Sequence, residues 1–162
     1  MDEKELPTMQ EDLHAELAAA GIADAAKRTN IIEEFDLLSI SDNAEELAWP
    51  VAKKVKERID AYAGLLEGIL QPTTTLIAMN ECSFFSEEEQ QRISKLYRKL
   101  MHLVRSHTEA DIEATRDAHL RFVREALAAW EQERPGILNV ARGLRKGWER
   151  EEPLQRERSY FG

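Results

Sequence analysis

The sequence is short of the residues that staple, break or catalyse. Its single cysteine, Cys82, has no second thiol with which to close an internal disulfide, so a disulfide-stapled scaffold is excluded. No apolar run approaches the length needed to span a bilayer. The acidic start, Met1 to Glu5, is the opposite of the positive n-region of a signal peptide. A soluble, cytoplasmic protein with no membrane partner is the expectation. A Gly-rich phosphate loop, a Gly-x-Ser-x-Gly elbow, paired cysteines and a His-Glu-x-x-His helix are all missing. No cofactor is expected, no catalytic residue can be assigned, and a non-enzymatic role is favoured.

Glycine and proline are scarce, at 7 and 5 of 162 residues, and the stretch from Ser86 to Arg134 contains neither. That stretch carries the strongest helical periodicity. Ile93, Leu96, Tyr97, Leu100, Met101, Leu103 and Val104 recur at three- and four-residue spacings, which places them on one helix face. Ile112, His119, Leu120, Phe122, Val123, Ala126, Leu127 and Trp130 repeat the period. Ser86 with Glu89, and Ser106 with Glu109, have the form of capping boxes, in which a hydroxyl and a glutamate satisfy amides that a helix start leaves orphaned. The spacing predicts two helices, 87–105 and 108–133, meeting near Ser106; one unbroken helix is the competing reading.

The other segments follow the same logic. Thr8 and Glu11 suggest a helix start, Leu13, Leu17 and Ala20 its stripe, and Gly21 a left-handed cap. Ile22 to Leu38 is expected to be helical, with Ala25, Ile32, Phe35 and Leu38 inward, followed by a polar loop from Ser39 to Asn43. A core helix from Leu47 to Leu70 buries Val51, Val55, Ile59, Tyr62, Leu66, Ile69 and Leu70. Pro50 either opens it or kinks it. Thr73 to Phe85 reads as a short buried helix or turn. Pro135 and Gly136 predict a sharp break before a last helix that buries Ile137, Leu138, Ala141, Leu144 and Trp148. The predicted fold is all-α, an antiparallel bundle of about six helices in a single domain over 1–152, with a charged tail over 153–162.

Charge is distributed unevenly. The formal net charge is −9, and residues 1–46 hold 13 acidic and 3 basic side chains, so the deficit lies wholly in the first part. Such asymmetry bears on partners rather than on fold. Basic stripes run the other way: Arg92, Lys95, Lys99, His102 and Arg105 on one helix, and Arg142, Arg145, Lys146 and Arg150 on another. Tyr160 and Phe161 close the charged tail with two aromatic side chains suited to anchoring an interface.

Two further chemistries are suggested by spacing. Glu11 and His14 have the Glu-x-x-His form of dimetal bundles, but no other histidine has a glutamate three residues before it. Glu57 and Asp60 match the shorter acidic element of all-helical nucleotide pyrophosphohydrolases. Glu33, Glu34 and Asp36 fail to supply the longer one. Ser41 to Ile59 superficially has the outline of a helix-turn-helix, with Ala44 to Ala48 and the lysine-rich Val51 to Ile59 as its helices, but the joint is too short. A phosphate-binding role also works against the net charge. His102 and His107 diverge around a helix, and His119 falls on the apolar face as a hydrogen-bonded core residue.

The sequence therefore points to a regulatory or interaction protein that works through a protein partner or as a homo-oligomer, with Arg92, Lys95, Lys99, His102, Arg105, Arg142, Arg145, Lys146, Tyr160 and Phe161 as the candidate surface. A divalent-metal enzyme built on helix carboxylates is the alternative, and a nucleic-acid-associated regulator the second.

Overall fold

The computed structural model describes residues 9–40 and 46–150. They form α1 (Met9–Ala19), α2 (Ala25–Glu34), α3 (Ala48–Leu70), α4 (Leu76–Ser83), α5 (Glu87–Glu113) and α6 (Arg116–Trp148), with a 3-10 turn at Leu37–Ser39 and no strand among the described residues. The all-α expectation holds, with six helices. Contacts gather into two compact units, Met1–Ile59 with Leu103–Ala129, and Asp60–His102 with Trp130–Gly162. Thr8, most of the loop from Ser39 to Asn43, and the tail with Tyr160 and Phe161 lie outside the described residues, wholly or in part.

In the first unit α1 packs on α2 and the 3-10 turn. Gly21 ends α1 as expected, with φ +88°, a left-handed conformation that side chains with a Cβ adopt only at a cost. The amides of Gly21 and Ile22 return to the carbonyls of Ala18 and Leu17 at 2.9 and 3.0 Å, the paired bonds of a Schellman cap. Arg124 Nε donates to the Ala20 carbonyl at 2.9 Å and satisfies another acceptor of the same helix end.

The second helix is shorter than its periodicity predicts. Asp24 caps it, its carboxylate accepting from the amides of Ala26 and Lys27 at 2.9 and 3.3 Å. Asp36, at φ 53°, turns the chain left-handed after Phe35. This turn rotates the following face, so Leu37 and Ile40 are buried and Leu38 is exposed, contrary to expectation. Ala25, in the first turn beyond the cap, is exposed as well.

Helix α3 begins at Ala48, which leaves Pro50 in the first turn, where a missing amide costs nothing because no intrahelical acceptor is available there. The two readings of Pro50 are thereby resolved in favour of a helix start. Val51, Val55, Ile59, Leu66 and Ile69 are buried on one side, while Tyr62 and Leu70 are half-buried.

The break between α5 and α6 exists, but at Ala114–Thr115 rather than near Ser106. Ala114 adopts φ 52°, and the Thr115 hydroxyl accepts from the Ala118 amide at 3.2 Å to start α6. Ser106 lies inside α5 and donates to Glu125 Oε1 of α6 at 3.4 Å, so its hydroxyl joins two helices instead of capping one. With α5 extended, Ile112 falls on its outer side and is 79% exposed, which corrects its assignment to the buried stripe.

In the second unit Ser86 and Glu89 form the expected capping box: the Ser86 amide donates to Glu89 Oε2 at 2.7 Å, and the Glu89 amide to Ser86 Oγ at 3.3 Å. These bonds hold the Glu89 carboxyl below its ordinary pKa, the Ser86 backbone amide contributing most. Gln90 Nε2 donates to the carbonyls of Cys82 and Phe85 at 3.2 and 3.3 Å, closing the end of α4 onto the first turn of α5. Helix α4 is only partly buried; Asn80 lies inside, but Ile77 is 61% exposed.

Pro135 does not break the chain. Helix α6 runs through it, and Ile137, Val140 and Leu144 are buried beyond it. Pro135 lies on the exposed side of α6, as does Glu131 one turn before it, so the proline sits away from the buried stripe. Continuity also keeps the stripe from Trp130 to Leu144 in one phase. Leu138, Ala141 and Trp148, expected inside the last helix's core, are exposed. Gly147 is required by close approach: a Cβ there would overlap the Phe84 ring, which meets Trp148 edge-on.

Candidate interaction groove

Because α6 stays helical through Pro135, its residues Glu133, Gly136, Asn139 and Val140 face the first half of α5 across a groove of about 340 Å³. Phe85, Ile93, Leu96 and Val140 form its apolar floor, with Leu96 packed over Gly136. Arg92, Lys95 and Lys99 stand at i, i+3 and i+7 along the rim, the spacing that keeps side chains on one helix face. Glu89 and Glu133 complete the rim.

The rim charges are unequally committed. Glu89 is held by its cap to Ser86. Lys99 pairs with Glu133, and Arg92 with Glu88 one turn back. Lys95 forms no ion pair with any described residue. The Arg92–Glu88 pair is exposed on both sides and contributes little to stability, about 0–1 kcal/mol, so Arg92 can exchange it for a partner's carboxylate at small cost, whereas Glu133 of the other pair is only 16% exposed.

Of the candidate surface read from sequence, Arg92, Lys95 and Lys99 are brought together on this groove. His102 and Arg105, further along α5, are exposed but do not line it, nor do the exposed Arg142, Arg145 and Lys146 on α6; Arg145 pairs with Glu149 at 3.4 Å. Tyr160 and Phe161 lie outside the described residues.

A second polar cluster in the first unit was not legible as a group. His107 and His119 are both buried, and Asp111 lies between them: His107 Nδ1 is 3.3 Å from Asp111 Oδ2, and His119 Nε2 is 3.2 Å from Asp111 Oδ1. His102 is exposed, so the predicted divergence of His102 and His107 holds. The His107-x-x-x-Asp111 spacing is a helix-face signal available in the sequence. The third member, His119, required knowing where α5 ends. A shallow recess lined by Glu46, Trp49, Asp111, Thr115, Arg116 and His119 opens beside it.

The other chemistries find less support. His14 Nδ1 accepts from Arg28 Nε at 3.3 Å, which engages one ring nitrogen of the histidine in the Glu-x-x-His reading. Glu57 and Asp60 are exposed, and among the described residues no three His, Cys, Asp or Glu side chains gather to hold a metal ion. The α3 lysines are engaged within the first unit: Lys54 lies 3.8 Å from Asp36, and Lys53 stands 5.3 Å over the Trp49 ring. Of the first helix of the helix-turn-helix reading, Ala44 and Glu45 lie outside the described residues, Glu46 and Leu47 are not helical, and Ala48 opens α3 instead. No helix among the described residues is long and apolar enough to cross a membrane. No protein-family model matches the chain, and no match is found among curated proteins or solved structures.

Proposed function

We propose that the chain is a binding protein whose α5–α6 groove receives an acidic segment of a protein partner, with an apolar side chain of that segment seated on Phe85, Ile93, Leu96 and Val140. The observation that supports this reading is the joining of an apolar floor to a rim with three cations on one helix face, against two carboxylates that are each already engaged. An apolar anchor supplies affinity, while rim charges select partner sign and speed encounter. The partner's carboxylates meet Lys95 first and then compete with Glu88 for Arg92. A cytoplasmic setting, in which a lone Cys82 stays reduced, completes the proposal.

The test is titration of the isotope-labelled chain with an acidic leucine-glutamate peptide and with its leucine-lysine counterpart. The proposal expects shifts at Ile93, Leu96 and Val140 with the acidic peptide only. Binding should weaken about threefold to tenfold in Lys95→Glu, and with added salt. Equal response to both peptides would contradict it. Sedimentation of the chain alone identifies a second copy as the acid source if association is lost in the same variant.

A further inference from the structure

We propose that His107, Asp111 and His119 form a pH-sensitive latch that keeps the α5–α6 turn closed at neutral pH and releases it in mild acid. One carboxylate, on the last turns of α5, lies between two imidazoles whose side chains are only 8% and 7% exposed, one on α5 and one on the first turn of α6. His119 Nε2 lies in hydrogen-bond reach of Asp111 Oδ1 at 3.2 Å and His107 Nδ1 lies 3.3 Å from Oδ2, so the carboxylate contacts both sides of the turn. Between them lies Ala114, held at φ 52°, where an L-residue with a Cβ is strained.

The second nitrogen of His107 makes this arrangement sensitive to protons. His107 Nε2 is buried with no hydrogen-bond partner among the described residues, and the ring meets Phe122 edge-on at 5.0 Å. A neutral ring tolerates that site, because only a lone pair is left unmatched. A second proton would put an N–H and a positive charge there with no acceptor. The charged and titratable groups facing His107 are Asp111 on its own helix, Lys56 on α3 and His119 on α6. Burial is the largest influence and Lys56 and His119 act with it; together they outweigh the attraction of Asp111 and hold the pKa below the ordinary 6.5.

The sign follows from linkage. An open turn lets His107 protonate at its ordinary pKa, whereas the closed turn resists protonation until lower pH. Below about pH 6.5 the open form binds more protons, and each further unit favours opening by up to about tenfold until the closed-state pKa is reached.

Amide exchange between pH 7.5 and 5, corrected for the intrinsic pH dependence of exchange, reads the opening directly. Protection over residues 110–119 should fall about tenfold relative to that of Leu100 and Val140. His107→Gln, which can still donate to Asp111 but does not titrate, should remove the difference. Constant relative protection in the wild type, or an equal fall in His107→Gln, would overturn the latch. If that variant does not fold, the wild-type imidazole titration decides: a His107 midpoint below 6.5 supports the proposal and one at or above 6.5 overturns it.

Discussion

The two junctions of the α5–α6 region behave in opposite ways. At Ala114–Thr115, where no residue is a strong breaker, the chain turns; at Pro135–Gly136, where local preference argues most strongly for a turn, it stays helical. The difference lies in what each site gains from its surroundings. Turning at Ala114 allows Arg121 to reach both oxygens of Glu113 at 2.8 and 2.7 Å, His119 to reach Asp111, and Arg116 to reach Glu16 at 3.1 Å. Continuing through Pro135 keeps Trp130, Ile137, Val140 and Leu144 on one buried stripe, at the cost of one hydrogen bond on an exposed face. Tertiary contacts therefore outweigh propensity at both places.

The largest expected effect concerns the buried core of each unit. Val55 of the first unit and Leu100 of the second are both fully buried. Replacing either with aspartate buries an unpaired carboxylate at a cost of several kcal/mol, against a typical total of about 5–15 kcal/mol. Each variant should lose its cooperative thermal transition by circular dichroism, while Glu88→Lys and Lys54→Asp should stay within about 1 kcal/mol of the parent. Similar behaviour of the two sets would refute the burial pattern.

The next effect concerns Pro135. Restoring an amide with Pro135→Ala should stabilise the chain by about 2 kcal/mol, the proline penalty of about 3 less up to about 1 for the more flexible unfolded chain. A turn at this position would instead make the substitution neutral or harmful in chemical denaturation. Smaller still is the matched change at the other junction. Ala114→Gly relieves a positive φ, and should raise stability by about 1 kcal/mol. Destabilisation there would mean that Ala114 is an ordinary helical residue.

Local signals were legible where they are self-contained. Ser86 with Glu89, and Gly21 after Ala20, are motifs whose hydrogen bonds close within a few residues, and both form as read. The α3 stripe was legible because its period persists for six turns. The break near Ser106 was misplaced because Ser106 and Glu109 have the spacing of a cap, whereas Ser106 is used for a bond to Glu125 nineteen residues away. Thr115, followed by Asp117 in the first turn of α6, carried the correct start signal but lacked a glutamate three residues on. Leu38 and Ile112 were misassigned for a related reason: each sits beside a turn that resets the phase of its helix face.

The candidate groove was half legible. Arg92, Lys95 and Lys99 share a face by spacing alone, but their pairing with Glu133, Gly136 and Val140 depends on α6 passing intact through Pro135. The histidine cluster depends in the same way on the turn at Ala114, which brings His119 back to Asp111. Sequence separation hides both partnerships, since each crosses a junction whose position local preference misjudges.

The most direct measurement is the run of backbone chemical shifts along 104–148, together with nuclear Overhauser contacts between Leu96 and Gly136. The account predicts helical Cα shifts from 104 to 113, an interruption at Ala114–Thr115, helical shifts without interruption from Arg116 to Trp148, and a contact from the Leu96 methyls to the Gly136 Hα protons. Coil shifts at 134–137, with the earlier interruption near Ser106 and no such contact, would contradict it.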